Sequence, residues 1–213
     1  MDVLIICVYV DDIIYTGSSY PLIQEFKSSM MKEFDMSDLG LLHYFLGLQI
    51  MQTDDGIFIS QEKYAVDLLK RHNMLRCKSF STPMNTNEKL SLSDGTTKAN
   101  EKLFRSLVGG LMYLSHTRPY IMFPVILISR FMHTPSVHHL GTAKRVLRYI
   151  QATSNFGIWY KPVSCFKLFG FTDSDWAGFV DDRKSTSGYI LKSRLGSYIM
   201  VFKEASYYGS III

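Results

Sequence analysis

The strongest constraint on the fold is a pair of aspartates between two apolar runs near the start of the sequence. Val3–Val10 is rich in β-branched and other apolar residues, and Ile13–Tyr15 resumes the pattern directly after Asp11 and Asp12. Such a pattern predicts two paired strands joined by a tight turn. We therefore expect a hairpin that holds both carboxylates at its tip, outside the apolar part of the strands.

The composition indicates a folded chain in a reducing compartment. The 213 residues are 47% hydrophobic and 20% charged, which excludes a disordered or collagen-like chain. A net charge of +4 is compatible with a nucleic-acid partner without requiring one. The three cysteines are too far apart for a disulfide framework, and no apolar run has the pattern of a signal peptide or the length of a membrane span. We expect an intracellular protein, cytoplasmic or nuclear, without a membrane segment.

The first part of the chain mixes helix and strand patterns. Pro21 and the apolar residues at every fourth position after it predict an amphipathic helix over residues 21–35. Asp55-Gly56 lies between the apolar runs Tyr44–Gln52 and Ile57–Ser60 and predicts a second hairpin. Ser60 is then a candidate N-cap for a helix over about residues 61–72.

A polar connector over residues 79–100 separates this part from a helical one. Apolar residues at helical spacing predict one helix carrying Leu103 to Leu114 and another carrying Val137 to Ile150, the latter capped by Thr134. The pattern then returns to strands, with candidates at 168–172, 188–192 and 197–202. We expect an α+β fold.

The acidic tip is a candidate metal site. Mg²⁺ prefers oxygen ligands, commonly one or two carboxylates completed by phosphates and water. Two such ions stabilise the attacking and leaving oxygens of phosphoryl transfer. The alternative is that Asp11 and Asp12 are there because aspartate is a common turn residue. The tip alone does not decide between the two interpretations.

Further short motifs occur in a fixed order along almost the whole chain. They include Tyr9-Val10-Asp11-Asp12, Glu33-Phe34-Asp35-Met36, Tyr44-Phe45-Leu46-Gly47, Thr82-Pro83-Met84, Thr117-Arg118-Pro119, Ala143-Lys144-Arg145-Val146-Leu147-Arg148-Tyr149 and Thr172-Asp173-Ser174-Asp175-Trp176. In order and spacing, these motifs resemble the reverse transcriptase to RNase H part of the Pol polyprotein of copia-type LTR retrotransposons.

The resemblance implies a polymerase role for the acidic tip. Tyr9 and Val10 correspond to the signature hairpin, and Asp11 and Asp12 to catalytic carboxylates of an RNA-directed DNA polymerase. The implied cofactor is Mg²⁺, with Mn²⁺ as an alternative. The implied partners are an RNA/DNA primer–template duplex and, in the full-length enzyme, a dNTP.

Two further motifs have implied roles. Phe45-Leu46-Gly47 resembles the segment that positions the primer end, although ordinary strand packing is an equal alternative for Phe45 and Leu46. Asp173 resembles the first metal-binding carboxylate of RNase H, and the alternative for Asp173 and Asp175 is a solvated strand end.

A basic helix face is the candidate nucleic-acid surface. Lys144, Arg145 and Arg148 fall on neighbouring positions of one helix and can neutralise backbone phosphates. The alternative is a solvated helix side. His138 and His139 lie near the start of this helix without an acidic or cysteine partner at ligand spacing, so no metal site is expected there.

The resemblance divides the chain into three parts. Residues 1–85 correspond to the C-terminal part of a reverse-transcriptase palm, 86–160 to a helical thumb or connection region, and 161–213 to a truncated RNase H-like sheet. We expect an uncovered sheet face in the third part, with exposed Phe169, Phe171 and Ile190.

Departures from the family pattern indicate a truncated, decayed copy. A further polymerase Asp upstream of the signature and a further RNase H Glu downstream are not matched, and Tyr120 occupies a position where Asp is usual. We therefore expect inactivity in isolation. The alternative is a non-catalytic nucleic-acid-binding or structural remnant, and the oligomeric state stays open.

Overall fold

The computed structural model describes residues 1–162, 164, 167–193 and 198–205, with side chains up to residue 191, and within them the fold is mixed α+β, as expected. The strands are β1 (Leu4–Tyr9), β2 (Asp12–Gly17), β3 (Tyr44–Phe45), β4 (Leu48–Thr53), β5 (Gly56–Ser60), β6 (Gly157–Tyr160), β7 (Leu168–Ser174), β8 (Ser185–Ser193) and β9 (Tyr198–Ala205). The helices are α1 (Tyr20–Glu33), α2 (Glu62–Arg71), α3 (Glu101–Leu114), α4 (Met122–Ser129) and α5 (Val137–Ala152). None of the helices described is both long and apolar enough to cross a membrane.

The chain forms two compact units, Met1–Phe45 and Leu46–Ile213. In the first unit, β1 and β2 form the expected antiparallel hairpin, with Tyr9 opposite Asp12 at its closed end. Helix α1 packs on the hairpin through Tyr15 and Phe26, whose ring centroids are 5.3 Å apart. No residue of the range 1–45 is fully buried, so this unit has an apolar layer rather than a closed core.

The second hairpin forms one residue earlier than the Asp-Gly signal indicates. Thr53 pairs with Gly56, so Asp54 and Asp55 are the central turn residues and Gly56 begins β5. Gly56 has a φ of 138°, and a Cβ there would overlap the carbonyl oxygen of Tyr160 at the end of β6. Glycine is therefore required at this position by the close approach of β6 rather than by the turn.

The main hydrophobic core lies among α2, α3, α4 and α5 in the second unit. The predicted apolar faces of α3 and α5 are confirmed except at their first positions, where Leu103 and Val137 are exposed. The fully buried core residues include Leu68, Leu69, Phe104, Leu107, Val108, Leu111, Leu114, Val125, Ile128, Ala143, Val146, Leu147 and Ile150.

Both predicted helix caps are wrong. The N-cap of α2 is Gln61, which makes no capping hydrogen bond, so Ser60 ends β5 instead. The N-cap of α5 is Ser136, which lies two residues after the predicted Thr134. Its Oγ accepts a hydrogen bond from the backbone N–H of His139, and the ring of His139 accepts one from the N–H of Ser136. This reciprocal pair closes the first turn of the helix.

The third sheet is antiparallel in the order β7, β8, β9. Phe169 and Phe171 on β7 are exposed, which confirms the expectation for these two residues, whereas Ile190 on β8 is half-buried.

Acidic side chains of the polar connector contact polar side chains at the start of α5. Ser136 donates a hydrogen bond to Asp94, and Glu88 lies 3.3 Å from Nε2 of His138. The acidic neighbours of the two histidines, which sequence spacing did not reveal, thus come from the connector. Within the residues described they do not assemble into a group of three or more side chains placed to hold a metal.

Two groups at this contact have shifted pKa values. His139 is fully buried, and burial lowers its pKa although the charge of Asp94 opposes the shift. Hydrogen bonds from Ser136 and Thr96 lower the pKa of Asp94 to about 2.

These shifts predict a fall in stability with acid in two stages. Below about pH 6.5, this histidine becomes protonated in the unfolded chain, whereas buried His139 of the folded chain resists protonation. The free energy of unfolding therefore falls by up to about 1.4 kcal/mol per pH unit for this one proton. The stabilisation from Asp94 is present above about pH 4 and is lost as the pH falls towards 2. Urea denaturation between pH 8 and 3 measures both stages. We expect His139→Gln to reduce the slope of the first stage, to which the lowered pKa of His72 also contributes, and Ser136→Ala to reduce that of the second. Curves parallel to the wild type would contradict the assignment.

Neighbouring glycines on α3 provide a matched pair for testing the helix packing. A Cβ at Gly110 would overlap Leu68 of α2, whereas a Cβ at Gly109 would meet no atom within 4 Å. We expect Gly110→Ala to destabilise the fold by about 1–3 kcal/mol through overpacking. Gly109→Ala should stabilise it by about 0.5–1 kcal/mol, because alanine favours the helix. Chemical denaturation of both variants measures the difference, and equal shifts would show that α2 and α3 do not pack at this point.

Candidate catalytic and nucleic-acid sites

The signature hairpin places two carboxylates on a tight, strained turn. Val10 and Asp11 are the central residues between β1 and β2, and Val10 has a φ of 52°. A positive φ at the first central residue is the geometry of a type II′ turn, which normally has glycine there. A β-branched residue rarely adopts it, and strain of this kind concentrates at functional sites. Asp11 and Asp12 are both exposed at this tip.

The tip fits a hard divalent cation in donor type, and its two carboxylates would be completed by phosphates and water around one ion, whereas a two-metal centre needs further ligands. Two exposed carboxylates are ligands that Mg²⁺ accepts. Throughout the part of the chain that the structure describes, no third His, Cys, Asp or Glu joins them in a possible metal site. Asp11 and Asp12 therefore supply only a fraction of a two-metal centre.

Phe45 lies beside the signature hairpin within the first unit. Its ring meets the ring of Tyr9 edge-on, with centroids 6.2 Å apart and an interplanar angle of 81°. Phe45 is half-buried by this packing. The structure thus brings together one residue of the signature and one of the predicted primer-positioning segment.

Leu46 and Gly47 form a rigid turn that precedes β4. Both have positive φ, 46° and 79°, as the two central residues of a type I′ turn require. The hydroxyl of Tyr113 on α3 donates a hydrogen bond to the carbonyl oxygen of Leu46, and a Cβ at Gly47 would overlap this hydroxyl. Tyr113 is a residue that sequence reasoning left without a role. Its contact with Leu46 spans 67 positions, so no local sequence pattern indicates it.

Asp173 and Asp175 lie together at one end of the third sheet. Asp173 is on β7 opposite Gly188 of β8, and Asp175 accepts a hydrogen bond from the backbone N–H of Thr186. Both carboxylates line an open cavity of about 390 Å³ together with Phe171. Asp173 accepts a hydrogen bond from the backbone N–H of Ser174, and both carboxylates are exposed.

The three basic residues predicted to bind backbone lie half-buried on α5. The guanidinium carbons of Arg145 and Arg148 are 4.4 Å and 5.2 Å from the ring centroid of Phe80 in the connector. Nη2 of Arg145 also donates to Oγ1 of Thr82 at 2.9 Å. Among the residues described, no carboxylate forms an ion pair with Lys144, Arg145 or Arg148. Two of the three cations are thus held in place, and all three keep their charge unneutralised.

Comparison with known families matches the first part of the chain. The family described as reverse transcriptase (RNA-dependent DNA polymerase) matches residues 1–86, which include the signature hairpin and the Leu46-Gly47 turn. No solved structure matches the chain significantly.

Similar curated proteins cover most of the chain. The retrovirus-related Pol polyprotein from transposon RE1 of Arabidopsis thaliana is 42% identical over 184 residues, 86% of this chain and 13% of that protein. The retrovirus-related Pol polyprotein from transposon TNT 1-94 of Nicotiana tabacum is 37% identical over 199 residues, 88% of this chain and 15% of that protein. An uncharacterized mitochondrial protein of Arabidopsis thaliana is 43% identical over 182 residues, 85% of this chain and 75% of that protein.

The chain therefore spans only a small part of the length of the Pol polyproteins that it matches. The alignments with these polyproteins cover more than four fifths of this chain, whereas the family model covers only residues 1–86. Together with the ordered motifs, they show that the chain belongs to the reverse transcriptase region of copia-type retrotransposon Pol polyproteins.

Proposed function

We propose that the chain is the catalytic-hairpin part of an RNA-directed DNA polymerase, in which Asp11 and Asp12 hold Mg²⁺ or Mn²⁺. The observation that carries this proposal is the exposed acidic tip on the strained Val10 turn, inside the stretch that matches the reverse transcriptase family. The bound ions would stabilise the attacking and leaving oxygens of nucleotide transfer. The turn orients the two carboxylates towards solvent, where nucleotide phosphates and the remaining ligands can reach them.

Phe45, Leu46 and Gly47 are proposed to position the primer end. Phe45 packs on Tyr9 of the signature hairpin, and the hydroxyl of Tyr113 fixes the backbone at Leu46. A rigid backbone turn is suited to contact a substrate of any sequence, because it offers peptide groups rather than base-specific side chains.

We further propose the three-part division into palm (1–85), helical thumb or connection (86–160) and the start of RNase H (161–213). The run of helices α3, α4 and α5 between residues 101 and 152 supports the second part, and α2 of the first part shares their core. The antiparallel β7–β9 sheet with Asp173 on its first strand supports the third, in which Asp173 would be a metal-binding carboxylate.

The proposed partner is a primer–template duplex that contacts α5 through its phosphates. Among the residues described, no carboxylate pairs with Lys144, Arg145 or Arg148. Contacts to phosphates suit a polymerase, because it must follow any sequence. The second candidate function is nucleic-acid binding without catalysis. The shortage of metal ligands in the described part of the chain favours it for this chain by itself.

We expect the purified chain alone not to extend a primer on an RNA template, because its described residues bring no third metal ligand to Asp11 and Asp12. A labelled primer, dNTPs and either Mg²⁺ or Mn²⁺ test this, with Asp12→Asn as the matched control. Incorporation by the wild type that disappears in Asp12→Asn would contradict this expectation and would place a complete centre within the chain.

We expect duplex binding to be weak and strongly dependent on salt. With about three phosphates neutralised, the slope of log K against log salt is about −2.7, so affinity should fall roughly forty-fold between 50 and 200 mM salt. Titration of a labelled RNA–DNA duplex measures the slope.

The control for this measurement is a variant with the same change in net charge. The α5 variant has Ala in place of Lys144, Arg145 and Arg148. The control variant has Ala in place of the exposed Lys89, Lys98 and Lys102. Both variants lose three positive charges, but only the variant on α5 should show a further loss of affinity and a flatter slope of log K against log salt. Equal behaviour of the two variants would exclude α5 as the nucleic-acid surface.

A further inference from the structure

Phe80 in the connector contacts two arginines of α5 at once. Its ring centroid lies 4.4 Å from the guanidinium carbon of Arg145 and 5.2 Å from that of Arg148. Its backbone N–H also donates to the carbonyl oxygen of Arg148 at 3.3 Å. The ring is therefore fixed relative to the helix, and the two cations share one aromatic group.

Among the residues described, the contact with Phe80 leaves Nη donors of both guanidinium groups without a hydrogen bond, whereas the Nε donors are buried. A cation–π contact uses the face of the planar group, whereas its N–H donors lie in the plane. Arg145 uses Nη2 for Thr82, and within the described part of the chain the side chain of Arg148 makes no hydrogen bond. The Nε atoms of both residues are buried without a partner. Both groups are thus immobilised cations with unused donors.

The surrounding surface is positive as well. His72 at the end of α2 is half-buried, and burial lowers its pKa; the charges of Arg71 and Lys144 lower it further. Neither Arg71 nor Lys144 has a carboxylate within ion-pairing distance among the residues described. The positive potential therefore extends from α5 to the end of α2, where an anionic backbone would be attracted.

We propose that Phe80 is a positioning residue that holds Arg145 and Arg148 as a clamp for phosphate oxygens of one nucleic-acid strand. This inference rests on the proposed nucleic-acid role of α5. Residues three apart on a helix have Cβ atoms about 5–6 Å apart, so both guanidinium groups can reach the same strand. Preorganisation by the ring lowers the entropy lost when the long side chains bind.

The competing explanation is that Phe80 only anchors the connector to α5. Anchoring requires apolar volume, whereas the clamp requires an aromatic face. Phe80→Leu keeps most of the volume and removes the face, and Phe80→Tyr keeps both. Phe34→Leu, at an exposed phenylalanine of the first unit, is the matched control.

The experiment is the titration of a labelled RNA–DNA duplex at 100 mM salt with the full chain. We expect Phe80→Leu to weaken binding about five- to tenfold, Phe80→Tyr to bind like the wild type, and Phe34→Leu to have no effect. In a background with Arg145 and Arg148 both replaced by Ala, Phe80→Leu should cause no further loss. Wild-type affinity of Phe80→Leu, or an equal loss in the double-alanine background, would overturn the clamp.

Failure of the clamp is distinguishable from failure of the proposed function. If the triple variant of Lys144, Arg145 and Arg148 binds more weakly while Phe80→Leu binds like the wild type, only the clamp is overturned. If the triple variant binds like the wild type, both the proposed role of α5 and the clamp are overturned. Should Phe80→Leu melt at a lower temperature, Arg145→Lys with Arg148→Lys replaces it, because lysine keeps the charge and lacks the planar face. Reduced affinity of that variant supports the clamp, and wild-type affinity refutes it.

Discussion

The helical core depends on one buried cation. Arg118 is fully buried after α3 and donates to the carbonyl oxygens of Thr153 and Ser154 at the end of α5. Removing a guanidinium group from water costs several kcal/mol, which only well-placed acceptors can offset. The acceptors lie directly after α5, where the partial negative charge of the helix C-terminus attracts a cation, and the carbonyl oxygen of Thr153 also accepts from the N–H of Phe156. Since β6 begins directly after this contact, the position of Arg118 also sets where the chain joins β5.

Arg118 also accounts for one departure from the family pattern. Tyr120 occupies a position where the resemblance predicts Asp, and its hydroxyl accepts a hydrogen bond from Nη1 of Arg118 at 3.0 Å. Burial raises the pKa of Tyr120, so the hydroxyl stays neutral at ordinary pH. The acceptor is thus kept while the charge is lost, and the carbonyls of Thr153 and Ser154 provide the remaining stabilisation. A tyrosine at this position is therefore compatible with the fold.

Sequence patterns predicted the helices and strands that depend on neighbouring residues. They failed at turns and helix caps that depend on contacts with distant parts of the chain. The hairpin around Asp11 and the apolar faces of α3 and α5 follow from local spacing. The glycine of Asp55-Gly56 is required by β6, about 100 positions away in the sequence. Ser136 caps α5 in place of Thr134, and its hydroxyl is also held by Asp94 from the connector. In the same way, Arg145 and Arg148 were recognised as a basic face, but the ring of Phe80 that fixes them lies over 60 positions away.

The acidic tip belongs to the first unit, in which no residue is fully buried. A two-stranded ribbon is marginally stable by itself, and Ile5 and Val8 of β1 are exposed. Within the first unit, Phe26 packs against Tyr15 of the hairpin and Phe45 against Tyr9, and the ion pair between Lys27 and Asp38 ties the segment after α1 to the helix. Strain at Val10 opposes formation of the turn. In the proposed metal site, affinity at Asp11 and Asp12 is consequently limited by the free energy of keeping the turn formed. Ile5 and Val8 lie on opposite faces of β1, so covering either face should strengthen the hairpin and with it the proposed site.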